Sequence, residues 1–229
     1  MADDPVFLIT GASSGIGAAT ARHAAQAGYR LVLSARREAE LRTLADELGG
    51  EERALALPTD VTDWEAQEAM VASALESLGR IDVAFANAGF GGARGVKKET
   101  PDHWRAMVLT NVLGPAYTIR ATMDSLVETK GHLLLTSSVA GRRALEGSLY
   151  SSTKHAVTAM AESARLEFGD TGVRVTSIEP GIVDTPFFDN RPERALHPDD
   201  IARAVMYAVT QPAHVDVNEV MVRPVAQPS

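Results

Sequence analysis

Apolar residues along this chain fall alternately into short unbroken runs and into stripes at helical spacing, almost from end to end. Val6-Phe-Leu-Ile9 is a compact, partly β-branched run, which predicts a strand buried on both faces. Gly11 opens a turn, and small residues from Ile16 to Ala27 predict a closely packed helix. Leu31–Leu33 is a second strand, followed by a helix over Glu38–Leu48 with Leu41, Leu44, Ala45 and Leu48 on one stripe. A third strand, Ala54–Leu57, closes at Pro58, and Trp64–Leu78 is helical with Asp63 as its N-cap. Ile81–Ala86 is the fourth strand and runs into Asn87-Ala-Gly89. A long helix over Asp102–Val127 starts after Thr100-Pro101, and Asn111, Gly114 and Pro115 are expected to disturb its middle. Then come a strand at His132–Thr136, a helix at Tyr150–Phe168 and a strand at Val173–Ile178 that Glu179-Pro-Gly181 should break. A helix over Pro198–Thr210 and a last strand over Val217–Val222 complete the pattern.

Strand and helix in strict alternation predict an α/β fold: one doubly wound parallel sheet of about seven strands, helices on both faces and right-handed crossovers. No linker or low-complexity tract interrupts it, so residues 1–229 read as a single domain. In such sheets ligands lie beyond the carboxyl ends of the strands, beside the point where strand order reverses. The segments to weigh are therefore Gly11–Gly17, Ala35–Arg37, Asp60-Val61, Asn87–Gly89, Ser137-Ser138 and Pro180–Thr185, each polar, glycine-bearing or both.

Bulk composition narrows the partners. Apolar residues make up 45% of the chain and charged ones 23%, ordinary for a globular domain. A net charge of −8 argues against non-specific binding to nucleic acid or anionic membrane. The acidic N-terminus has no signal-peptide core and no run approaches transmembrane length, so a cytoplasmic protein is the expectation. Without cysteine there is no disulfide and no thiolate nucleophile or metal ligand.

Two groups of residues carry chemistry. The first is Gly11-Ala-Ser-Ser-Gly-Ile-Gly17, a turn from strand to helix N-terminus. Unpaired first-turn N–H groups, the helix dipole and the absence of Cβ atoms suit a phosphate there, and the Ser13 and Ser14 hydroxyls can join them. The spacing Gly11, Gly15, Gly17 is wider than the common dinucleotide fingerprint. The second is Tyr150 and Lys154, four apart on one helix face, where an ammonium can favour phenolate. Taken alone, that spacing equally describes a boundary tyrosine beside a solvated lysine.

In order along the chain, Thr10-Gly-Ala-Ser-Ser-Gly-Ile-Gly17, Asp60-Val61, Asn87-Ala-Gly89, Asn111, Ser138, Tyr150-Ser-Ser-Thr-Lys154 and Pro180-Gly-Ile-Val-Asp-Thr185 resemble the short-chain dehydrogenase/reductase family over essentially its whole length. The resemblance implies a Rossmann-like domain and hydride transfer between a nicotinamide cofactor and a small carbonyl or secondary-alcohol substrate. It implies that Tyr150 exchanges the proton, Ser138 binds the substrate oxygen, Lys154 holds the nicotinamide ribose and lowers the tyrosine pKa, and Asn111 holds a water leading to solvent. By the same resemblance the cofactor is bound by Gly11, Ser13, Ser14, Gly15, Ile16, Gly17, Arg36, Arg37, Asp60, Val61, Asn87, Ala88, Gly89, Tyr150, Lys154, Pro180, Gly181, Val183 and Thr185. Two departures stand out. Ala86 replaces a frequent asparagine, and the Ser138-to-Tyr150 span is one residue short, so that Ser137 has the commoner spacing while Val139-Ala-Gly141 aligns Ser138.

Strand two speaks to cofactor choice. Ala35 stands where NAD-selective members carry aspartate, and Arg36 with Arg37 can hold a 2′-phosphate, so NADP(H) is expected over NAD(H). Phe187, Phe188 and the residues up to His197 form a short substrate lid at about 184–198, and the tail Asp216–Gln227 resembles a branch containing 3-hydroxy acid dehydrogenases. Arg142 and Arg143 either meet an anionic substrate or stand in a solvated loop. His155 and His197 read as surface and helix-start residues, and His103 and His132 form no ligand pattern, so no metal is expected. Apolar and small residues on the two long helices predict a homodimer or homotetramer. A dinucleotide-binding sensor without catalysis, or an epimerase or dehydratase using bound nicotinamide, are the alternatives.

Overall fold

A computed structural model describes residues 4–188 and 192–227. Seven parallel strands form one sheet in the order β3-β2-β1-β4-β5-β6-β7, where β1 is Val6–Thr10, β2 Arg30–Ala35, β3 Ala54–Pro58, β4 Val83–Ala86, β5 His132–Thr136, β6 Arg174–Pro180 and β7 Glu219–Val222. The order reverses between β1 and β4, which pair in register from Phe7↔Val83 to Ile9↔Phe85. Side-chain alternation along the strands then divides the core into two layers. Phe7, Ile9, Leu31, Leu33, Phe85 and Ile178 face helices α1 (Gly15–Gln26), α2 (Glu38–Glu47) and α7 (Pro198–Val209). Val6, Leu8, Val32, Ala84, Leu133 and Leu135 face α3 (Trp64–Leu78), α5 (Gly114–Thr129) and α6 (Leu149–Phe168).

Helix ends follow from their own residues. Asp63 caps α3 by accepting from Ala66 N at 3.1 Å, and Thr100 caps α4 (Pro101–Val108) by accepting from His103 N at 3.1 Å. His197 stands at the N-cap of α7, where the Asp200 carboxylate accepts from His197 N at 2.8 Å.

Three elements differ from expectation. The long helix over 102–127 is two helices, α4 and α5, joined by a π-helical turn at Leu109–Leu113. Asn111 lies within that turn, and Pro115 follows it directly in the first turn of α5, where it supplies no N–H to the turn before. The fourth strand begins at Val83 rather than Ile81, because Ile81 N is taken by the Ser125 hydroxyl at 3.0 Å. Strand β6 is not broken at Glu179: it runs through Pro180, pairing Glu179↔Met221 and Pro180↔Val222, and Gly181 N still donates to Val222 O at 2.8 Å.

Candidate active site

The ends of β1, β4, β5 and β6 converge through side chains that satisfy one another's backbone. The Thr10 hydroxyl accepts from Asn87 N at 3.0 Å and Ala88 N at 3.2 Å. Asn87 in turn donates from Nδ2 to Thr10 O at 3.0 Å and accepts the Thr136 hydroxyl at 3.1 Å. One amide thus joins the carboxyl ends of three adjacent strands. Ala86, the departure noted above, is buried in β4 opposite Leu135, so Asn87 alone makes these polar ties.

The glycine turn packs against this junction. Gly11 has φ 68°, and a Cβ there would stand 2.9 Å from Ala88 Cα; a Cβ at Gly17 would collide with the Gly11 carbonyl. Side chains are excluded at both positions on steric grounds alone. A Cβ at Gly15 would lie 3.0 Å from Thr185 Cγ2, which brings the loop after β6 onto the same turn. Val183 in that loop pairs with Leu196, and its side chain is buried. Ser14 is the N-cap of α1 but makes no side-chain bond to it, so the first-turn N–H groups keep their unpaired, positive character.

At the end of β2, Arg37 Nη2 donates to the Ser13 hydroxyl at 3.0 Å and Nη1 lies 3.2 Å from Glu40. Arg36 is exposed and makes no hydrogen bond or ion pair among the described residues. Beyond β3, Asp60 Oδ1 accepts from Thr62 N at 2.9 Å and from its hydroxyl at 2.8 Å, which shapes the Asp60-Val61 turn. Val61 is buried, with Gly114 packed against it.

The side chains expected to react come from α6 and the loop after β5. Ser137 points inward and is consumed by structure: its hydroxyl donates to Lys154 O at 3.0 Å and lies 2.7 Å from the Thr158 hydroxyl. Ser138 accepts from Ala140 N at 3.1 Å and donates to Pro180 O at 3.3 Å, a long bond for a hydroxyl, and it acts on the Tyr150 phenol by favouring its ionised form. Lys154 is buried, with Nζ 2.6 Å from Thr136 O and 5.6 Å from the centre of the Tyr150 ring. A Cβ at Gly89 would stand 3.1 Å from Asn111 Oδ1 and 3.6 Å from Lys154 Nζ, so all three border one space. Asn111, carried by the π turn, holds Phe90 from both sides, accepting from its N–H at 3.0 Å and donating to its carbonyl at 2.8 Å. Its amide is occupied by this clamp and by Thr153 at 3.2 Å.

One expectation about charge is corrected. Burial pushes the Tyr150 phenol up to about 12, with Ser138 opposing, whereas a depression by Lys154 was expected. The ammonium faces the Thr136 carbonyl and lies beside the ring, and burial pulls Lys154 itself down to about 8. In the chain alone the pair is therefore phenol and ammonium at neutral pH.

On the substrate side, Phe187 packs edge-on against the Tyr150 ring with centroids 5.5 Å apart, rests on Gly91, and meets Phe188 at 5.0 Å. The centre of the lid, residues 189–191, lies outside the described residues. Arg142 is paired with Glu179 and Glu219. Arg143 is exposed and unpaired among the described residues. His155 Nδ1 lies 2.9 Å from Ser151 O, and His103 Nε2 lies 3.2 Å from Gly91 O while its ring meets Phe90. Sequence reasoning missed Thr10, Thr136 and Thr153 as partners of Asn87, Lys154 and Asn111. The available signal was a threonine at each end of β1 and β5, where a hydroxyl can pair a turn's free backbone.

Comparison with known proteins agrees with this geometry. The family model described as short chain dehydrogenase matches residues 5–195. An uncharacterized oxidoreductase of Staphylococcus aureus (strain MW2) is 37% identical over 227 residues, covering 97% of this chain and 98% of the relative. Among solved structures, an alcohol dehydrogenase from the archaeon Thermococcus sibiricus complexed with 5-hydroxy-NADP superposes with a TM-score of 0.93 at 36% identity, covering 99% of both chains. The closed form of serine dehydrogenase complexed with NADP+ gives 0.89 at 33% identity, covering 98% of this chain and 96% of that one. The chain belongs to the short-chain dehydrogenase/reductase family, and is an NAD(P)-dependent oxidoreductase.

The residues present fit a dinucleotide. The Gly11 and Gly17 cradle would be filled by any Cβ, the N-terminus of α1 offers unpaired donors, and Arg36 offers an open guanidinium.

Proposed function

We propose that the protein reduces a small carbonyl compound with NADPH, and catalyses the reverse oxidation of the alcohol. The observation that carries this reading is the convergence of Tyr150, Ser138 and Lys154 beside Gly89, at the switch point between β1 and β4. When bound, the nicotinamide supplies or accepts the hydride. Gly11, Ser13, Ser14, Gly15, Ile16 and Gly17 would hold its pyrophosphate, Arg36 and Arg37 its adenosine end, and Asp60 and Val61 the adenine. Asn87, Ala88, Gly89, Tyr150, Lys154, Pro180, Gly181, Val183 and Thr185 would hold the nicotinamide half.

Tyr150 is the proton donor. With its phenol at about 12 it is fully protonated at neutral pH, so it can deliver a proton to the alkoxide that develops as the carbonyl is reduced. Ser138 adds a second donor to the same oxygen; its long bond to Pro180 O is weak enough to yield to a better acceptor. Lys154, still largely ammonium at pH 7, stabilises the phenolate left behind. Asn111 holds the Asn87–Phe90 floor in place and, in this reading, its turn lodges the water that returns the proton from solvent. Phe187 shields the phenol from bulk water. The NADP-bound neighbours support the cofactor preference, and the exposed, unpaired Arg36 supports it independently.

The test is Tyr150→Phe. Removing the hydroxyl should lower kcat for carbonyl reduction by ~10²–10⁴-fold while NADPH still binds, measured by cofactor fluorescence. Near-normal turnover by the phenylalanine variant on the best substrate refutes the assignment.

A further inference from the structure

The ion pair between Arg142 and Glu179 closes a ring of contacts around Ser138. Glu179 is only 1% exposed, and a carboxylate at that depth persists only with a full set of partners. Arg142 supplies most of them, with Nε 2.9 Å from both carboxylate oxygens and Nη2 2.7 Å from Oε1. The Ser177 hydroxyl donates to the same carboxylate at 3.1 Å, and Glu219 of β7 meets the same Nη2 of Arg142.

Each partner is one step from a contact of Ser138. Arg142 follows the short turn Val139–Gly141 that Ser138 caps: Gly141 N donates to Ser138 O at 2.8 Å and Arg142 N to Val139 O at 3.2 Å. Glu179 precedes Pro180, whose carbonyl receives the Ser138 hydroxyl at 3.3 Å. The path therefore runs from Ser138 through its turn to Arg142, across to Glu179, along to Pro180 and back to Ser138.

We infer that Arg142 and Glu179 are positioning residues for catalysis: their ion pair sets the Pro180 carbonyl against the Ser138 turn and so places the Ser138 hydroxyl on Tyr150. The inference rests on the roles given to Ser138 and Tyr150 above. A displacement of about 1 Å at a reacting group can cost on the order of 10²-fold in rate, so a brace on one hydroxyl is enough to matter. A purely structural staple between β6 and the loop after β5 makes a different forecast. A buried ion pair can be replaced by apolar residues with little loss of stability, so stability and turnover can be separated.

The paired variant Arg142→Met with Glu179→Met does this. It should melt close to the unmodified protein, whereas Arg142→Met alone, which strands Glu179, should melt far lower. In the paired variant kcat for carbonyl reduction should fall about tenfold or more, with the KM for NADPH within about twofold of normal. Recovery of both melting temperature and kcat in the paired variant overturns the inference. Arg142→Lys covers the case in which the paired variant does not fold. It keeps the charge but loses the planar fork, so the protein should still fold with some loss of stability while kcat drops several-fold, and an unchanged kcat overturns the inference. If even the unmodified protein reduces no carbonyl, the hydride-transfer reading fails, and the brace is judged without turnover. With ¹³Cζ-labelled tyrosine and the Tyr150 signal assigned through Tyr150→Phe, that signal should move in either variant, and a signal that stays put overturns the brace.

Discussion

Arg36 and Arg37 are adjacent and do different things. Arg37 is tied to Ser13 and Glu40, so it stiffens the glycine turn, while Arg36 stays open at the end of β2 beside a buried Ala35. An open guanidinium with no carboxylate nearby on the strand suits a 2′-phosphate, to which it can bond bidentately. Replacing Ala35→Asp together with Arg36→Leu should raise the KM for NADPH about tenfold or more and leave the KM for NADH nearly unchanged or lower, read from initial rates with each cofactor. Equal catalytic efficiency with both cofactors in the unmodified protein contradicts this reading of the strand end. At this scale the sequence was most informative where spacing alone sets proximity, as for Tyr150 and Lys154 on one helix face. It could not show the sign of the tyrosine shift, because burial and the aim of Nζ at Thr136 O depend on other elements. Nor could it place Arg142, whose partner lies 37 residues away on β6.

Elements show the same division between local and distant causes. Helix stripes, the Asp63 cap, the start marked by Thr100-Pro101 and the strand runs are local, and they were legible to within a few residues. The disturbance of the long helix was legible from Asn111, Gly114 and Pro115, but its form as a π turn depends on Asn111 reaching across to Phe90. Strand β6 continues through Pro180 because β7 supplies partners the local signal ignores. Strand β5 opens on His132, fully buried, with Nε2 2.7 Å from the Thr176 hydroxyl of β6 and Nδ1 unpartnered among the described residues. Burial, with nearby Arg174 adding to it, pulls this imidazole down to about 3. The folded state thus refuses a proton that the unfolded chain takes up below about 6.5, and stability must fall as pH falls from about 6.5 towards 3. This one group contributes a slope of about 1.4 kcal/mol per pH unit inside that window. Urea unfolding at pH 7, 6, 5 and 4 should show His132→Leu less stable at pH 7, where it lacks the Thr176 bond, but losing less stability on acidification. Parallel curves for the two proteins would place the acid sensitivity elsewhere.

At the scale of the molecule, alternation of strand and helix was enough to forecast a doubly wound sheet, and the carboxyl-end rule then picked out loops that lie together past the ends of β1, β4, β5 and β6. The two-layer core explains why: residues on odd and even strand positions feed separate helix layers, so the central strands β1 and β4 are apolar over most of their length. One large surface feature lies on the outer side of the second core layer, away from the proposed site residues. A groove of about 990 Å³ runs across the outer surface of α3, α5 and α6, with Val71, Leu75, Ile119, Met123, Met160 and Phe168 in its walls, and no proposed site residue lines it. Its rim carries both signs of charge, Glu68, Asp124 and Glu167 with Arg120, the last lying over the Trp64 ring at 5.5 Å. A self-complementary face of this kind fits a two-fold contact, in which the same patch meets itself and opposite charges can cross the axis. Helices packed this way can bury the ~1,200–2,000 Å² that a stable interface needs. Light scattering at micromolar concentration should therefore report at least twice the 24.4 kDa of one chain. Met160→Arg sets a charge inside the groove and should shift the protein towards the single-chain mass, with cofactor binding retained because the glycine turn lies at the carboxyl ends of the strands, off this face. A single-chain mass for the unmodified protein would mean that the groove serves some purpose other than self-association.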